Sequence, residues 1–228
     1  MEFCYACQNP ATTKEHIPPR CLFPEVKDAV DGADYRRNLI MVPSCTKHNL
    51  EKSGDDEYLL YVLTTNLPSN AIAHTQWTKL KRAIERRPAL WNSMRSNSEE
   101  VEVMDSHTGK IYEAVQMGLD GTRFQKSLEL ISLGVYRHHF GERWEGSIHV
   151  HSDFIAFSHE PNAADIDANR VLVFNCAKKL FASAPRHGNN PDVFWYQVCE
   201  PADHYLRCLI RLGFYEGCTA TAFLGGII

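Results

Sequence analysis

Two stretches, CYACQNPATTKEHIPPR at residues 4–20 and CTKHNLEK at residues 45–52, decide how the N-terminal quarter of this chain folds. Each carries a pair of metal-ligand side chains separated by two residues, Cys4 with Cys7 and Cys45 with His48. A turn of that length lets both side chains reach one ion, and two such turns fill the four tetrahedral positions of Zn²⁺ at about 2.0–2.3 Å with none left for water. The site so formed is structural. Residues 1 to about 55 are short on regular periodicity and rich in Pro, Cys, Asn and Asp, the composition of a small loop-rich unit that needs a staple. Two other readings of the same residues stay open: Cys21 in place of His48, which lacks the knuckle spacing, and Cys4 and Cys7 as ordinary buried thiols.

The bulk numbers narrow the class. Of 228 residues 44% are apolar and 23% charged, the balance of a globular chain with a sizeable core rather than a disordered one. The formal charge of −4 gives no overall basic footprint, so contact with nucleic acid has to come from local patches. The opening MEFCYACQNP has neither the cationic start nor the apolar run of a signal peptide, and no apolar stretch approaches the roughly 20 residues of a membrane helix. A cytoplasmic protein with no membrane contact is expected, and its eight cysteines are then metal ligands or buried side chains rather than disulfides.

Beyond the module, DDEYLLYVLTTNL reads as a helix whose acidic start suits the dipole and which Pro68 closes. In SNAIAHTQWTKLKRAIERR the residues Ala73, Trp77, Leu80 and Ile84 recur at helical spacing, with Lys79, Arg82 and Arg86 on the opposite face and Pro88 as a stop. That face suits a DNA backbone and equally a solvated helix. VEVMDSHTGKIYEAVQM reads as a hairpin turning at DSHTGK, TRFQKSLELISLGVYRHHF as a largely buried helix, and GSIHVHSDFIAF as a strand. AADIDANRVLVFNCAKKLFA fits a helix or a strand followed by a helix. The C-terminal stretch supplies two or three strands, with Phe194, Trp195, Tyr196, Phe214 and Tyr215 as sheet core. His149, His151 and Asp153 read as the polar face of a strand, and His138 and His139 point too far apart on a helix to share an ion.

Between the knuckles lies KEHIPP and then RRNLIMVPSC. A carboxylate at Glu15 and an amide carbonyl at Asn49 are hard oxygen ligands of the kind that suit Mg²⁺ or Mn²⁺, and the His16 imidazole beside them can take a proton from water. The order of knuckle, acid-His-x-Pro, Asn and second knuckle resembles the HNH endonuclease family in its zinc-stapled form, over residues 4 to about 57. The resemblance implies a ββα-metal module at residues 1–57; the helix and strand patterns beyond it read as an α+β domain with a mostly antiparallel sheet at residues 58–228. The resemblance also implies His16 as general base, Asn38 as the Asn that braces the catalytic loop, and Glu15 and Asn49 as ligands of a catalytic Mg²⁺ or Mn²⁺. Glu15 stands where the family usually has Asp, and His48 where it more often has Cys. Lys52 falls at the position of a phosphate-facing Lys, and Lys14 and Arg20 are the other binding cations. The implied activity is hydrolysis of DNA phosphodiesters, with RNA open, in restriction, anti-phage defence or a mobile element; the role of the second domain stays open between DNA binding, a protein partner and a second copy. The alternative is a zinc-stabilised module that binds nucleic acid or protein without turnover.

Overall fold

The computed structural model describes residues 2–29, 31–50, 52–66, 69–86, 88–96, 98–104, 109–155, 162–201 and 206–226. The chain is α+β with antiparallel sheets throughout. Strands β1 (Thr13–Ile17) and β2 (Ile40–Ser44) form an antiparallel ribbon in which Glu15 lies opposite Val42 and His16 opposite Met41. One turn of helix, α1 (Thr46–Asn49), follows β2 directly, and α2 (Ser53–Thr64) follows α1. Every residue of α2 from Tyr58 to Thr64 is buried, so this half of the helix is enclosed on all sides and its sequence shows a nearly continuous apolar run. The expected division after residue 57 falls inside α2.

The cationic segment does not form one helix. It breaks at Gln76 into α3 (Ala71–Thr75) and α4 (Trp77–Arg86), because the Gln76 side chain is fully buried and its Nε2 donates to the Leu22 carbonyl at 2.8 Å. Helix α4 ends at Arg86, ahead of Pro88 as expected, and Pro88 itself opens α5 (Pro88–Arg95), a position where its missing N–H removes no helical bond. The hairpin β3 (Glu99–Met104) and β4 (Ile111–Gln116) forms as expected and stands apart as a two-stranded sheet, although residues 105–108 of its turn lie outside the described residues, as does Pro68.

Helix α6 (Gly121–Phe140) is capped by Asp120, whose Oδ1 accepts from the Arg123 N–H at 3.0 Å, and closed by Gly141 at φ 77°. Its Gly134 backs onto Ile17 so closely that a Cβ there would lie 2.4 Å from Ile17 Cδ1. After β5 (Ser147–Ser152), the undecided stretch is one helix, α7 (Ala163–Leu180). Then β6 (His187–Asn190), β7 (Phe194–Cys199), β8 (Leu206–Phe214) and β9 (Cys218–Gly225) complete a five-stranded sheet of order β5-β9-β8-β7-β6. The five aromatics assigned to sheet core are all buried.

One hydrophobic cluster runs from Tyr5 and Val42 of the N-terminal segment through α2 and α6 to the sheet. Polar ties reinforce it. Tyr215 Oη donates to the Leu22 carbonyl, Arg123 Nε to Asp55, and the Asp120 N–H to Tyr58 Oη at 2.7 Å. The N-terminal ribbon is therefore seated on the rest of the chain, packed against α6.

Candidate functional site

Residues 4 to 10 form a tight turn in which the Cys4 N–H donates to the Asn9 carbonyl at 2.9 Å, presenting Cys4 and Cys7 on one side. Opposite it, Cys45 precedes α1 in extended conformation and the His48 N–H donates to the Cys45 carbonyl at 3.1 Å, so the second pair faces the first. The donor atoms of Cys4, Cys7, Cys45 and His48 all lie within 4.8 Å of one another. Tetrahedral Zn²⁺ with sulfur at about 2.3 Å and nitrogen at about 2.0 Å places sulfurs about 3.8 Å apart and sulfur and nitrogen about 3.5 Å apart. Here Cys7 and Cys45 Sγ are 3.8 Å apart, and His48 Nδ1 lies 3.5 Å from Cys4 Sγ and 3.4 Å from Cys45 Sγ. The four side chains are thus set to hold an ion such as zinc. Cys21 does not join them: its Sγ donates to the Asp56 carbonyl, and burial pushes its thiol up to about 12. Among the described residues no other group of three or more His, Cys, Asp or Glu side chains comes close enough to share an ion; His149 and His151 lie on β5, and Asp153, just beyond its end, accepts from Thr219 Oγ1 at 2.6 Å.

Beside this cluster a cleft of about 530 Å³ opens between β1, α1, α2 and α4, and both Glu15 and His16 line it with Asn49. Strand alternation would separate neighbours in β1, yet both line the cleft. Asn49 is fixed by its Nδ2, which donates to the Lys14 carbonyl at 3.1 Å; its side-chain carbonyl is the atom suited to a hard cation. His16 is half-buried. Burial, and then the cations of Arg20, Arg36 and Lys52, lower its pKa below the ordinary 6.5, so at neutral pH the imidazole is uncharged and able to accept a proton.

Glu15 is 5% exposed and its Oε1 lies 3.0 Å from Lys52 Nζ, which also contacts Asp56 Oδ1 at 2.7 Å. These three groups carry a net charge of −1 in a buried place. Burial therefore raises Glu15 and Asp56 against the pull of Lys52, while for Lys52 burial is outweighed by Asp56 and Glu15 and its pKa rises. Lys52 does not face outward as a phosphate-binding Lys would; it is held inside by two acids.

The remaining expected residues divide. Arg20 is exposed and lines the cleft, whereas Lys14 is exposed and lies off it. Asn38 does not line the cleft either. It sits at φ 54°, and its loop is held through the backbone, with Asn189 Nδ2 donating to the Asn38 carbonyl at 2.9 Å and Asn190 Nδ2 to the Arg37 carbonyl at 3.2 Å. The cationic face of α4 is not one surface: Lys79 donates inward to the Cys21 carbonyl, Arg82 pairs with Asp28, and Lys79 and Arg86 line the cleft while Arg82 does not. Asp56 is the cleft residue whose role the sequence hid, since it reads there as part of an acidic helix start. The usable signal was its position four residues after Lys52, within ion-pair reach on a helix.

No family model, curated protein or solved structure matches this chain.

Proposed function

We propose that the chain is a metal-dependent endonuclease of HNH type that hydrolyses DNA phosphodiesters, with Cys4, Cys7, Cys45 and His48 holding a structural zinc. The observation that carries this is the cleft that gathers Glu15, His16 and Asn49 beside the four-ligand cluster. The order strand, strand, helix of residues 13–49 agrees with a ββα-metal module. Glu15 and the Asn49 carbonyl are a donor set that fits Mg²⁺ or Mn²⁺, and either ion supplies charge stabilisation for a phosphorane-like transition state and its leaving oxygen. His16, uncharged for the reasons above, takes the proton from the attacking water. Arg20 and Arg86 at the cleft mouth pair with the flanking phosphates, the sequence-independent part of nucleic-acid affinity.

A second reading has one observation in its favour: Glu15 is already neutralised by Lys52, an arrangement equally suited to a binding module without turnover. Nicking of supercoiled plasmid separates the two. The zinc-loaded chain should relax the plasmid in Mn²⁺ or Mg²⁺ and not in EDTA. Intact plasmid and intact RNA with every divalent ion, from protein that still binds them, would leave the binding module.

A further inference from the structure

Lys52 governs the electrostatics of this cleft. It is 8% exposed and bridges Glu15 from β1 and Asp56 from α2, and both acids line the cleft with His16 and Asn49. Two acids in one partly buried place repel each other unless a cation lies between them, and an unpaired buried charge is strongly destabilising. The ammonium is that cation. A divalent ion bound to Glu15 would compete for the oxygen Lys52 already contacts, and its charge would repel an ammonium left in contact with the same carboxylate.

We propose that Lys52 is the resting counter-ion of the metal site: its pairing with Glu15 and Asp56 excludes the divalent ion, and once Lys52 is displaced Asp56 joins Glu15 in holding that ion. This rests on the metal-dependent reading given above. No bond is made or broken, and the exchange replaces one cation by another between the same two carboxylates. Metal affinity is accordingly lower than the donor set alone would give, and without metal the site keeps a cation between its two carboxylates.

The test is a Mn²⁺ titration of the full, zinc-loaded chain, followed by loss of the free-ion electron paramagnetic resonance signal. Lys52→Met keeps a stem of similar length without the charge and should bind Mn²⁺ at least about ten-fold more tightly than the parent, while Lys52→Arg should not. Adding Asp56→Asn to Lys52→Met should reverse much of that gain. Equal affinity in the parent and Lys52→Met overturns the exchange and leaves the metal-dependent reading intact; no Mn²⁺ binding by either overturns both. If Lys52→Met does not fold, the parent decides the matter through the side-chain ¹⁵N signal of Lys52. That signal should move to the position of exposed lysines as Mg²⁺ binds calorimetrically, and binding that leaves it unmoved overturns the proposal.

Discussion

Gly134→Ala is the perturbation that probes how β1 is held. An added Cβ would lie 2.4 Å from Cδ1, 2.5 Å from Cγ1 and 3.2 Å from Cγ2 of Ile17, where carbon contacts are normally about 3.5–4.0 Å. Ile17 is 2% exposed and closely packed, so its side chain cannot simply turn aside. Over-packing of this kind costs about 1–3 kcal/mol, against about 1 kcal/mol gained by Ala over Gly within a helix, for a net loss of up to about 2 kcal/mol. Ile17→Ala alone should cost about 2–5 kcal/mol through its cavity. In that background the new methyl meets no branched side chain, so Gly134→Ala should become stabilising by about 1 kcal/mol. Urea denaturation of the four zinc-loaded proteins measures the cycle. Additivity within about 0.5 kcal/mol would refute the claim that α6 seats β1 through this contact.

Three other outcomes are expected. Metal analysis should find one tightly held zinc per chain, and Cys45→Ser should lose it and unfold the N-terminal segment, because the binding energy of such a site is folding energy; folded protein free of zinc would remove the assignment. Arg20→Ala with Arg86→Ala should weaken DNA binding and flatten its dependence on salt more than Arg82→Ala does, since Arg82 is paired with Asp28 and off the cleft, and equal effects across a salt series would contradict the placement. Burial and the neighbouring His187 hold His138 and His139 below 6.5, so the unfolded chain binds protons that the folded one does not. Stability should therefore be full above pH 6.5 and fall as pH drops through it, less so in a His138→Gln, His139→Gln variant, and identical pH profiles would count against the assignment.

The α+β class, the hairpin, the long helix α6 and the buried aromatics of β7 and β8 were legible because they are local patterns of period two or 3.6. The four-ligand cluster was legible because each pair is fixed by a short turn, leaving only the meeting of two pairs to the fold. What sequence could not supply came from long-range contacts. The break at Gln76 depends on a carbonyl at Leu22, and the inward turn of Lys79 depends on Cys21. Lys52 looked like a surface cation until the fold brought Glu15 to it from 37 positions away. Asn38 resembled a bracing side chain, whereas its loop is held by amides from β6, which no local pattern links to it.

The central claim is that His16 transfers a proton while Glu15 and Asn49 serve the divalent ion. Single-turnover cleavage of DNA by zinc-loaded His16→Ala, compared with the parent at saturating Mn²⁺, tests it most directly. The rate should fall by about 10²–10⁴-fold with zinc content, fold and DNA affinity unchanged, and added Mn²⁺ should not restore it. A His16→Ala protein that cuts as fast as the parent would contradict the account.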